Sequence, residues 1–242
     1  MKKINENKLN MKKFYDTIAD KYDYIFPLSP IQKKFLDEEV EGKKILDVGA
    51  ATGKLTEYLS GKGFQVHSID INERLINKAA QKGISVVNMN MLAIDMLEKF
   101  DTIINIGNTL PHLNNNGEIY EFLEKSYHQL NNGGKIIIQL INFSKFLKQK
   151  DENNFLGTLP LIENENVKFE RFYYLNEEGN IIFKTILDDN IENEEILLNI
   201  TYNELKGYFE KIGFRNIKVY GGFDKSVFDI DKSTPFVITG EK

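Results

Sequence analysis

The chain has 242 residues, a formal net charge of −5 and no cysteine, a length that fits one α/β domain with at most a modest insertion. The missing cysteine excludes disulfides, thiolate metal sites and thiol nucleophiles, and fits a reducing cytoplasm. Acids and bases are interspersed and no apolar run nears the roughly 18 residues of a membrane span, so neither nucleic acid nor a membrane is an expected partner. The one basic excess, Lys2, Lys3, Lys8, Lys12 and Lys13, reads as a solvated tail. No apolar segment follows it, so it is not read as a secretory signal.

Residues 14–26 (FYDTIADKYDYIF) place aromatics with a spacing that partly suits an amphipathic helix. Short β-branched runs then alternate with helical segments. Strands are predicted at 43–48, 64–70, 84–89, 100–106 and 135–141, and helices at 53–60, 73–81 and 118–130. The Asn131-Asn132-Gly133-Gly134 stretch is expected to break the last helix. Strands this apolar, separated by helices, point to a parallel sheet buried on both faces.

After Phe143 the rhythm changes. Three strand-like runs, 167–175, 181–188 and 195–201, follow with no helix between them, the first two joined by a hairpin-type loop. A helix at 202–212 ending at Gly213 and two final strands at 214–220 and 235–240 complete the chain. The expected organisation is a covering segment over 1–30, a main domain made of 31–150 and 201–242, and an antiparallel insertion over 151–200. The fold class is α/β: a Rossmann-like, mostly parallel sheet of about seven strands with helices on both faces, plus the small insertion.

The chemistry centres on Asp47-Val48-Gly49-Ala50-Ala51-Thr52-Gly53, a buried strand that runs into a small-residue turn and a helix. In a doubly wound sheet this carboxyl end lies at the switch point where ligands bind. A Walker loop fails on spacing and on Leu55 after Lys54. A dinucleotide fingerprint is poorly met, and a carboxylate at Asp47 suits an ammonium or sulfonium better than a phosphate. Asp70, one strand–helix–strand step later, is placed to accept from two ribose hydroxyls. Asn72 is the better N-cap for the helix that follows.

Asp47-x-Gly49-x-Ala51-x-Gly53 resembles the first motif of class I S-adenosylmethionine-dependent methyltransferases, with Ala51 in place of the middle glycine. Asn90-Met91 sits where the family reads the adenine edge. The stretch from Phe100 through Ile106, Gly107 and Asn108 to His112 and Leu113 resembles small-molecule N-methyltransferases of the glycine and amino-sugar kinds. Tyr15 through Phe26 resembles a segment that covers the cofactor in those relatives. The resemblance implies S-adenosylmethionine as cofactor, held by Tyr15, Tyr22, Asp47, Gly49, Ala50, Ala51 and Gly53 at one end. It places Asp70, Ile71, Asn90, Met91 and Ile106 around the remainder, and it implies a small-molecule acceptor with an N- or O-nucleophile.

Of three histidines, His67 reads as a core residue and His128 as a helix-end residue favoured by the dipole. His112 lies at the ligand end of the sheet, either packed beside Pro111 or touching the acceptor, and is the candidate catalytic residue. No His, Asp or Glu spacing suggests a metal site. Methyl transfer needs alignment and exclusion of water more than covalent chemistry. A binding protein that senses S-adenosylmethionine is the alternative, and a dehydrogenase a weaker one. The aromatics Phe169, Phe172, Tyr173, Tyr174 and Phe183 of the insertion suit a satellite core, one face of which can wall an acceptor pocket. The insertion and the 14–26 segment are expected to close the cleft from opposite sides.

Overall fold

The computed structural model describes residues 2–96 and 98–242. It opens with α1 (Lys2–Ile18) and a single turn α2 (Tyr22–Ile25). The basic start is helical, with Lys12 and Lys13 exposed as expected, and the buried Phe14 and Ile18 anchor the helix. Helix α3 (Pro30–Glu39) begins at a full capping box, Ser29 with Gln32, and carries Pro30 in its first turn.

The alternating region follows as β1 (Lys44–Val48), α4 (Lys54–Gly61), β2 (Gln65–Asp70), α5 (Glu73–Gln81), β3 (Val87–Asn88), β4 (Phe100–Asn105), α6 (Asn116–Gln129) and β5 (Leu130–Ile141). After a short helix α7 (Phe143–Leu147) come β6 (Phe155–Thr158), β7 (Ile162–Asn164), β8 (Val167–Leu175), β9 (Ile181–Leu187) and β10 (Ile191–Leu197). Helix α8 (Tyr202–Ile212), β11 (Arg215–Tyr220) and β12 (Pro235–Glu241) finish the chain.

The main sheet has seven strands in the order β11-β12-β5-β4-β1-β2-β3, parallel from β3 to β5 and antiparallel at β12 and β11. Ile103, Ile104 and Ile136 to Ile138 are wholly buried, the continuous apolar pattern of strands covered on both faces. The chain turns from β1 to β2 on one side and reaches β4 on the other, so the crevice lies above β1. Asn72 caps α5, its side chain accepting the Leu75 N–H at 2.9 Å.

Four local expectations change. The third strand pairs only through Val87 and Asn88, because it is the sheet edge. Helix α6 ends at Gln129, just ahead of residues 131–134, but those residues lie inside β5, which starts at Leu130 and not at Lys135; a register irregularity against β4 with Gly133 at φ +77° absorbs them. The last strand of the insertion runs Ile191–Leu197, not 195–201, because Asp188 and Asp189 both take positive φ and reverse the chain directly after β9. The insertion also gains β6 and β7, both paired to β8.

The antiparallel sheet and the N-terminal helices share one core. Phe14, Ile18 and Ile25 pack with Phe143, Phe146, Phe169, Tyr173, Phe183 and Leu197. The two covers thus meet each other, and residues of both line the space above the crevice. Among the described residues no helix is long and apolar enough to cross a membrane.

Candidate active site

The turn after β1 is held by the strand beside it. The N–H groups of Gly49 and Ala50 both donate to the Ile69 carbonyl, at 2.9 and 3.0 Å. Gly49 has φ +81°, and a Cβ there would lie 2.5 Å from the Thr109 methyl, so the position requires glycine. Ala51 takes φ +49° without being glycine, and its N–H donates to Asp70 Oδ2 at 2.8 Å. The other Asp70 oxygen accepts the Asn72 N–H at 2.8 Å. Gly53, with φ +78°, is the N-cap of α4 and turns the chain into that helix.

Asp47 is 3% exposed and accepts the Thr56 hydroxyl at 2.9 Å. Burial pushes its carboxyl up to about 7 against the Thr56 hydrogen bond, with the Asp70 charge adding to the rise. Burial likewise raises Asp70, opposed by the backbone N–H groups it accepts.

Two cavities open above this turn. The smaller, about 120 Å³, is lined by Asp70, Ile71, Asn90, Met91 and neighbours. The larger, about 440 Å³, takes in Asp47, Ala50, Ile106, Gln139, Arg171, Tyr173 and Phe183. Tyr15, Tyr22, Gly49, Ala51, Gly107 and His112 line both and so form a common wall. Asp47, Ala50 and Ile106, expected around the cofactor, thus face the larger space. The Asn90 side-chain oxygen, at the corner expected to read the adenine edge, accepts the Leu92 N–H at 2.8 Å and opens a 3₁₀ turn at Met91–Met96.

His112 was the one histidine expected near the reaction, and it is not isolated. Its Nε2 lies 2.9 Å from the Tyr15 hydroxyl and its Nδ1 2.7 Å from Glu195 Oε1. Glu195 was not foreseen: its place on the inward face of β10 depends on a register that only pairing defines. Arg171 was missed for the same reason. It sits on the inward face of β8 and lines the larger cavity; its terminal nitrogen donates to the Pro160 carbonyl at 2.7 Å, while the buried Nε has no partner. His67, read as a core residue, packs edge-on against Phe100 at 6.0 Å. Among the described residues no group of three or more His, Asp or Glu is arranged to hold a metal ion.

The loop's N–H groups at Gly49, Ala50, Ala51 and Gly53 are engaged within the protein, so no phosphate nest forms. A buried and a half-buried carboxylate with two phenol faces suit a ligand with an ammonium, a ribose and a sulfonium. A switch-point crevice with this donor set defines an α/β protein that binds a nucleoside carrying positive charge.

Residues 45–134 match the methyltransferase domain family. The chain is 23% identical over 269 aligned positions to a glycine/sarcosine N-methyltransferase of Halorhodospira halochloris, covering 99% of this chain and 92% of that protein. Among solved structures it is similar to the CcbJ methyltransferase of Streptomyces caelestis, with a TM-score of 0.77, 18% identity and coverage of 92% and 95%. It is also similar to an S-adenosylmethionine-dependent methyltransferase of Clostridium acetobutylicum, with a TM-score of 0.74, 15% identity and coverage of 94% and 98%. The domain match, the relatives and the structural neighbours all indicate an S-adenosylmethionine-dependent methyltransferase.

Proposed function

We propose that this methyltransferase acts on an N- or O-nucleophile of a small molecule held in the larger cavity, with the cofactor's nucleoside in the smaller one. The common wall carries the reading: Tyr15, Tyr22, Gly49, Ala51, Gly107 and His112 border both spaces, so a methyl group passes between them without crossing solvent. S-adenosylmethionine supplies an activated methyl group there. Asp70 and the Asn90–Met91 corner hold the nucleoside, while Asp47 faces its charged end. Residues 31–150 with 201–242 serve as the cofactor domain, and 1–30 with 151–200 as covers on the acceptor side.

A space of about 440 Å³ falls in the range of small-ligand sites and is walled by apolar side chains with few polar ones. Arg171 is the polar group that fits an acceptor best. Its Nε lacks a partner, and an acceptor with an anionic group, as glycine has, supplies one. The test is incubation with S-adenosylmethionine and a library of amines and alcohols, reading S-adenosylhomocysteine. Product with small amines or alcohols is expected. Cofactor binding without product from any member would overturn the proposal.

A further inference from the structure

We propose that Tyr15, His112 and Glu195 form a proton relay that deprotonates the acceptor, so that the substrate is a nucleophile arriving with a proton to lose: a primary or secondary amine, or a hydroxyl. The inference rests on the acceptor occupying the larger cavity, as proposed above.

Three elements distant in the chain converge to make it. Tyr15 comes from α1, His112 from the 3₁₀ turn Leu110–His112 after β4, and Glu195 from β10. A backbone hydrogen bond from Leu198 N–H to the Pro111 carbonyl, 2.8 Å, fastens that turn to the end of β10 and sets the imidazole over the carboxylate. Glu195 is 2% exposed, and its second oxygen is buried without a partner. A buried carboxylate with no lysine or arginine bonded to it is costly as a structural device, and an apolar residue would pack the inward face of β10 better. Its one side-chain partner is His112, whose other nitrogen meets the phenol that borders both cavities.

The ionised carboxylate fixes the tautomer. Nδ1 carries the proton and donates to Glu195, so Nε2 of the neutral ring accepts from the Tyr15 hydroxyl. The Tyr15 oxygen then has its lone pairs free toward the cavity. A hydroxyl acceptor passes its proton to the Tyr15 oxygen, and the phenol's own proton passes to Nε2, as an oxygen lone pair bonds the methyl carbon. An amine attacks with the lone pair it already holds, and a proton of the resulting alkylammonium leaves by the same route. In both cases the carbon–sulfur bond breaks with its electrons staying on sulfur. His112 ends as an imidazolium beside Glu195 and returns its proton to solvent before the next turnover.

The groups facing the ring are Glu195 on β10, Asp70 at the end of β2, Tyr15 on α1 with Tyr22 next to it, and Glu118 of α6, which Asn114 holds. Burial disfavours the imidazolium, but the Glu195 carboxylate outweighs it, so His112 titrates above its ordinary value. The relay needs the neutral ring; activity therefore rises with pH through that titration.

The test joins nitrogen NMR of histidine-labelled protein saturated with S-adenosylhomocysteine to pH profiles with a small primary amine from the library. The expected tautomer of His112 carries its proton on Nδ1. In Glu195→Gln its titration is expected to move down by about one unit or more. Tyr15→Phe and His112→Gln are each expected to lower kcat about 100-fold or more, with KM changed less than about threefold. A proton on Nε2 in the wild type, which needs no variant to fold, overturns the relay, as does Tyr15→Phe turning the amine over at the wild-type rate. A relay tautomer with no product from any amine or alcohol overturns the acceptor reading, and the relay's task with it.

Discussion

Asp47 is buried and Asp70 half-buried, and the two carboxylates have different tasks. For Asp47, raised to about 7 in the fold, the native state holds a proton between the ordinary carboxylate range and that value while the unfolded chain has released it. Native protein binds more protons across that window, so Asp47's contribution to stability falls as pH rises through it and stays low above about 7. Asp47→Asn keeps an acceptor for Thr56; it is expected to raise the ligand-free Tm at alkaline pH by about 4 °C or more, read by calorimetry, and to remove this pH dependence. The same variant is expected to weaken S-adenosylmethionine about tenfold or more, since the carboxylate faces its charged end. Asp70 ties the Ala51 and Asn72 N–H groups, so Asp70→Asn sets an amide against one of them. Affinity for S-adenosylhomocysteine is expected to fall by about 2–3 kcal/mol in titration calorimetry; unchanged affinity would remove Asp70 from the site. Both carboxylates were legible in the sequence because each ends a strand one step apart on the same edge of the sheet. Ala51 was legible only as a departure from glycine. Its buried methyl group packs with Ala19 and Leu75 beneath Tyr15 and Tyr22, joining the cofactor turn to the N-terminal cover.

At the scale of elements, α2 is fastened to the cofactor turn by one residue. Asp23 accepts the Thr52 hydroxyl and pairs with Lys82, and Lys54 lies 3.8 Å away. The turn places Tyr22, one residue earlier, on the wall shared by the two cavities. Partly exposed pairs contribute about 0–1 kcal/mol each, so Asp23→Asn is expected to lower ligand-free stability only slightly. Affinity for S-adenosylhomocysteine is expected to fall several-fold and to lose the dependence on salt expected of the wild type between about 0.05 and 0.5 M. A salt dependence equal to wild type would place the clasp outside the binding event. Elements whose periodicity is local, such as α5 and α8, were readable from sequence with their ends. The unreadable ones depend on partners: β6 and β7 are too short to show a pattern and exist because β8 offers an edge. The position of β10 was hidden because Glu192 and Glu194 look like loop residues until Asn193, Glu195 and Leu197 are known to face inward.

For the whole molecule, the two covers form one body. Phe14 of α1 meets Phe183 of β9 at 5.5 Å, and Phe183 stacks on Tyr173 of β8 at 5.2 Å. The same α1 carries Tyr15 against His112, so ordering the helix, the insertion and the relay is one event. Phe14 is 2% exposed, and Phe14→Ala leaves a cavity expected to cost about 3–5 kcal/mol in that shared core. The cost falls on the covers, because the main sheet has its own core of Leu46, Ile103, Ile136 and Ile138. Hydrogen exchange is therefore expected to show α1 and β8–β10 losing protection together in Phe14→Ala, while β1, β4 and β5 keep theirs. In the wild type, S-adenosylhomocysteine touches the cover directly only through Tyr15 and Tyr22 in this reading, yet it is expected to slow exchange in β8–β10 as much as in α1. Protection confined to α1 would show that the covers move separately, and that the acceptor cavity is not closed by cofactor binding.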